Sequence, residues 1–143
     1  MIRTIFAWLA ASIVGYILFA ITSQTVVLNG LVHIGAPMPF SARLQSTFHA
    51  VLNMPALGLV LAAAFAIAFA VARGLKSIVK PFASVAYPLA GGAAVSAALE
   101  LMWLQYEIYP VLGAQKPMGY GLAVLSGVAA GVVFAALLPK KTL

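Results

Sequence analysis

Long apolar runs separated by short polar breaks dominate the chain. Four such runs cover about residues 4–28, 51–72, 82–105 and 118–138. Each is close to the ~20 residues that a helix needs to cross the hydrocarbon core of a bilayer. The pattern predicts an all-α fold: a polytopic integral membrane protein built as a four-transmembrane-helix bundle, two antiparallel helical hairpins, in a single domain over residues 1–143. The run after Arg3 is much longer than the apolar core of a secretion signal, roughly 7–15 residues, so it reads as a retained anchor. Helix two is expected to begin early, near residue 41, because Ser41 is a good N-cap and nothing breaks the chain before Pro55. Pro55 has no N–H to offer the Val51 carbonyl, and a kink is expected there.

Composition agrees with the pattern. Hydrophobic residues make up 64% of the chain and charged residues 7%, with a mean hydropathy of +1.11. Soluble domains carry roughly a quarter charged residues, so most of this surface needs lipid as its solvent. The net charge of +6 does not point to nucleic acid, because the basic residues sit at the ends of apolar runs and form no patch. With no cysteine, disulfides, thiolate metal sites and iron–sulfur clusters are excluded.

The placement of Lys and Arg orients the chain. Arg3, Arg73, Lys76, Lys80, Lys140 and Lys141 fall on one side of the four runs, and Arg43 and Lys116 on the other. Short cytoplasmic loops carry the excess of Lys and Arg. Both termini and the middle loop are therefore expected in the cytoplasm, and Trp103, Tyr106, Tyr109 and Tyr120 then gather at the outer interface. Short loops and this charge bias fit a multi-pass protein of a bacterial inner membrane.

Helices in lipid associate through small residues that let backbones approach, since lipid tails offer them no hydrophobic incentive. Such residues recur at every fourth position: Gly119, Ala123, Gly127, Gly131 and Ala135 in span four, and Ala86, Ala90, Ala94 and Ala98 in span three. Span two has Gly58, Ala62, Ala66 and Ala70, and span one has Ala7, Ala11 and Gly15. Gly127-x-x-x-Gly131 is the sharpest pair, suited either to packing within the chain or to a subunit interface. The loop strings Gly35-Ala36-Pro37-Met38-Pro39-Phe40 and Gly113-Ala114-Gln115-Lys116-Pro117-Met118-Gly119-Tyr120 also resemble one another. That similarity is too short to establish a duplication.

Chemistry-bearing residues are few. The acids are Glu100 and Glu107, seven apart on one face of span three. Gln45, His49 and Asn53 form a polar stripe at spacing four on helix two, at a similar depth to Glu100, and Gln24 and Asn29 close span one on the same side, with His33 expected in the loop. Gln45, His49, Asn53, Glu100 and Glu107 are thus the candidate polar cluster. Glu100 and His49 could serve a small proton-coupled transporter or channel, although no polar path leads on to the cytoplasmic side. A metal site from His49 and Glu100 with His33 or Glu107 has acceptable ligand types, but filling it would need every His and acid of the chain, and no pair has signature spacing. No nucleophile–base pair or phosphate loop points to an enzyme.

The expectation for function is a non-catalytic integral membrane subunit that stabilises a larger membrane assembly or its own oligomer. Its partners would be the bilayer and other integral membrane subunits or copies of itself, with no nucleic acid. A lipid- or quinone-interacting protein is the further alternative. No cofactor or metal is expected, while bound lipids are, with contact to a quinone or pigment conceivable.

Overall fold

A computed structural model of the chain describes residues 2–78, 85–107 and 115–138, apart from the side chains of Ser77 and Tyr106. Residues 82–84 of the expected third span, Lys80, Tyr109, Lys140, Lys141 and the Gly113-Ala114 string lie outside the described residues. Those described form five helices and no strand: α1 Ile2–His33, α2 Phe40–Asn53, α3 Pro55–Ile78, α4 Ala86–Tyr106 and α5 Pro117–Leu137. Three are long and apolar enough to cross a membrane, namely α1, α3 over Pro55–Lys76, and α5. This marks the chain as a membrane protein. α4 is as long as α5 but less apolar, because Tyr87, Pro88, Gly91, Gly92, Ser96 and Glu100 interrupt its Ala and Leu.

Helix α1 packs on α5, α5 on α4, α4 on α3, and α3 back on α1, while α2 packs on α1. Neighbouring helices in this ring run antiparallel. A Cβ on Gly91 would meet Gly127, one on Gly131 would meet Tyr87, and further along the Tyr120 hydroxyl reaches Glu100. Likewise Gly15 faces Ala130 while Gly30 faces the Lys116 amine.

The expected kink at Pro55 is sharper in the structure, where it divides two helices. Met54 leaves the helical region at φ −117°, ψ 48°, and Pro55 opens α3, as suits a residue whose missing N–H is dispensable in a first helical turn. The Val51 carbonyl that Pro55 cannot serve is taken up by the Tyr16 hydroxyl of α1, which donates to it at 2.7 Å. A second contact of that hydroxyl reaches the Met54 carbonyl at 3.1 Å. One tyrosine thus pins the α2–α3 break to α1. Eight residues earlier on α1, the Trp8 indole N–H donates to the Ala62 carbonyl at 3.1 Å.

The core joins small residues to aromatic ones. Ala7, Ala11, Ala123 and Ala130 are fully buried, beside Phe19, Leu61, Phe65, Val95 and Leu99. Toward the α3 C-terminal end, Phe69 stacks on Phe65 and Phe134 with centroids 5.6 and 4.3 Å away. Tyr87 meets Phe69 and Phe134 edge-on. This cluster ties α3, α4 and α5 together at one end.

The closest approach is between α4 and α5. A Cβ on Gly91 would fall on the Gly127 carbonyl oxygen, one on Gly127 on the Gly91 carbonyl oxygen, and one on Gly131 on the Tyr87 carbonyl oxygen. Only glycine permits backbones to meet this way, the arrangement that lets helices associate in lipid. The Gly127-x-x-x-Gly131 pair is therefore used within the chain. Gly119, Ala123, Gly127 and Gly131 are all buried, and Ala135 is half-buried.

Candidate functional site

Where α4 leaves α5 it opens on its other side into a groove with α3. The groove has a volume of about 1170 Å³ and runs from Lys76 and Ala86 at one end to Val60 and Gln105 at the other. Residues 60 to 76 of α3 rise roughly 24 Å at the helical repeat, most of the ~30 Å thickness of a bilayer's hydrocarbon. Lys76 and Gln105 are its polar ends, and the lining between them is aliphatic apart from the Met102 thioether.

The alanine stripe of span three supplies the α4 wall. Ala86, Ala90, Ala94 and Ala98 all line the groove, with Ala94 and Ala98 buried at its floor and Ala86 and Ala90 half-buried. Ala93 and Ala97, one position before the buried pair, stand exposed on the rim. On α3 the wall is Ala64 and Ala68 with Ile67, Val71 and Leu75 above them. The Gly58-Ala62-Ala66-Ala70 stripe of α3 lies elsewhere: Gly58 faces the Tyr16 ring, the Ala62 carbonyl accepts from Trp8, and Ala66 and Ala70 are exposed.

The groove exists because alanine lacks bulk without lacking a Cβ. Facing glycines would let α3 and α4 close on each other, as α4 and α5 do. Facing leucines would fill the space between them. Rows of alanine keep the helices apart and leave a smooth trough. At its Lys76 end the trough is held open by the aromatic cluster, where Tyr87 and Phe69 fill the space beneath. The Lys76 amine sits over the Tyr87 ring, 5.4 Å from its centroid, within reach of a cation–π attraction.

The polar cluster expected from the sequence is not drawn together. Gln45, His49 and Asn53 are exposed on α2, and their bonds stay within that helix: His49 Nδ1 lies 3.0 Å from the Gln45 carbonyl, and Asn53 Nδ2 donates to the His49 carbonyl at 2.9 Å. Glu100 instead accepts from the Tyr120 hydroxyl of α5 at 3.2 Å. Glu107 caps α4 in the left-handed region at φ 56°, its N–H bonded to the Trp103 carbonyl. The break at Met54 explains the separation, since α2 ends there and lies against α1. Gln24 is half-buried, whereas Asn29 and His33 are exposed, and Asn29 accepts from Arg43 at 3.4 Å. No three His, Asp or Glu side chains come together among the described residues.

α2 has a second face that sequence reading passed over. Phe40, Leu44, Phe48 and Leu52 follow at spacing four and are all more than half exposed. Beside the Gln45-His49-Asn53 stripe they make α2 amphipathic, the pattern of a helix lying at a membrane–water boundary. Spacing alone could have revealed it. The groove could not be read so, because it depends on which alanine face meets a neighbour.

No protein-family model matches the chain, and no curated protein or solved structure shows significant similarity to it.

Proposed function

We propose that this is a non-catalytic four-pass membrane protein that acts by holding an apolar membrane component, a lipid-class amphiphile, in the α3–α4 groove. The observation that carries the reading is the groove itself: a smooth hydrocarbon trough nearly as tall as the bilayer core, with polar groups only at its ends. Binding sites for small molecules are concave, mostly apolar and furnished with a few placed polar groups. α4 counts as the fourth crossing because it contacts two apolar helices along its length, from Tyr87 against Phe69 to Glu100 against Tyr120. The bias of Lys and Arg supports cytoplasmic termini in a bacterial inner membrane.

The test is the lipid that accompanies the protein through purification in mild detergent, quantified by mass spectrometry. Wild type is expected to retain tightly held lipid, and Ala93→Phe with Ala97→Phe, which fills the trough from its rim, is expected to lose it. Equal retention by both would refute the reading.

An accessory-subunit reading is kept because a floor of alanines at full height also suits a partner's transmembrane helix. It predicts a stoichiometric membrane protein in the same preparation, absent when the groove is filled. The glycine seam lends it no support, because that seam is occupied by α4 and α5 themselves.

A further inference from the structure

The groove is basic at one end and uncharged elsewhere. Lys76 lines that end, whereas Arg73, three residues earlier on α3, is not part of the lining and follows the outlying Ala66 by seven residues on the face of α3 turned from the groove. Both are exposed. The only acidic side chains of the chain, Glu100 and Glu107, lie toward the opposite end of α4. From Tyr87, beneath Lys76, to Glu100 is thirteen residues of helix, roughly 20 Å. Neither glutamate therefore stands near enough to balance Lys76.

We propose that the groove selects an anionic phospholipid, laying an acyl chain along the alanine floor and its phosphate against the Lys76 amine. This rests on the reading that the groove takes a lipid-class amphiphile, and it names the charge of that amphiphile. The tail cannot supply selectivity, because moving it from bulk lipid into the trough exchanges one hydrocarbon surrounding for another. Preference must come from the headgroup. Lys76 ends the apolar stretch of α3, which places its amine at the boundary where lipid phosphates lie, and basic pockets between transmembrane helices on the cytoplasmic side hold acidic headgroups.

The Tyr87 ring supports the amine from below and keeps it at the mouth of the groove. Charge also argues against a second copy as occupant. Side by side in the same orientation, its glutamates would stand at the far end, and its own Lys76 would meet this one as a like charge.

The experiment uses the full-length protein in nanodiscs holding phosphatidylglycerol and phosphatidylcholine of identical acyl chains in equal amounts, released and weighed by native mass spectrometry. Wild type is expected to retain phosphatidylglycerol roughly fivefold over phosphatidylcholine, the preference that one basic residue gives. Lys76→Gln should bring that ratio close to one while still retaining lipid. Ala93→Phe with Ala97→Phe should lose both lipids. All three positions are exposed, and an unchanged thermal unfolding midpoint confirms that each variant folds.

A wild-type ratio near one, or a preference that survives Lys76→Gln, overturns the anionic selectivity and leaves the groove reading standing. Loss of all lipid from wild type overturns both. A dimer mass that disappears when the groove is filled would show a second copy as the occupant and overturn the proposal.

Discussion

α4 has two neighbours, and it treats them oppositely. Against α5 its glycines bring backbone onto backbone, with Gly91 and Gly127 each lying where the other's Cβ would have to be. Against α3 its alanines leave a trough of about 1170 Å³. The two faces differ by one methyl group per contact position. In water that difference would be blurred by the hydrophobic drive to close any gap. In lipid the drive is absent, so small residues act by geometry alone: glycine joins two helices, and alanine smooths the wall between them.

The strongest way to break the contrast is to add bulk on the seam side. Gly91→Leu forces a side chain into the Gly127 carbonyl, and since backbone cannot yield as a side-chain tip can, a loss above about 3 kcal/mol is expected. The variant should emerge aggregated from size-exclusion chromatography in detergent. Gly121→Leu on the facing helix α5 is the control, because a Cβ there meets nothing, and it should elute as wild type does.

Next comes the cluster that holds the groove's basic end open. Phe69→Ala leaves a cavity among Phe65, Tyr87 and Phe134, with a loss on the order of 2 kcal/mol from the cavity contribution. Denaturation in mixed micelles would measure it. Tyr16→Phe removes the hydroxyl that serves the Val51 carbonyl at the α2–α3 break. A loss of about 1 kcal/mol is expected, as for a part-buried acceptor left unmade, and faster amide exchange should be confined to the end of α2.

The smallest effect sharpens the comparison from the other side. Ala97→Phe adds about as much volume as Gly91→Leu, yet it points into open groove. Its stability should stay within about 0.5 kcal/mol of wild type, while retained lipid falls.

The helical, membrane-embedded character was legible in the sequence because span length and hydropathy are local properties. So was the trouble at Pro55, since a missing N–H is written in the residue. What became of the orphaned carbonyl was not, as the answer is Tyr16, thirty-five residues earlier. Small-residue stripes were visible in every span, but their partners were not. The Gly127 and Gly131 stripe turned inward onto α4, and the Ala86 to Ala98 stripe became the floor of a groove. Phe65, Phe69, Tyr87 and Phe134 each look like ordinary apolar filler in the sequence, and only the ring of helices makes them one cluster. The expected grouping of His49 with Glu100 assumed a continuous second helix, and the break at Met54 sets α2 apart on α1.

The most direct test of the groove is to map where lipid rests on this chain in a membrane. A phospholipid with a photoactivatable diazirine in its acyl chain, cross-linked in vesicles and located by peptide mass spectrometry, reads this residue by residue. Adducts should concentrate on the α3–α4 lining, at Ala63, Ile67, Ala93, Ala97 and Leu101. They should be several-fold fewer on comparably exposed α1 positions such as Ile13, where lipid only passes. An even spread over all exposed apolar positions would mean that the trough holds nothing, and would contradict the account.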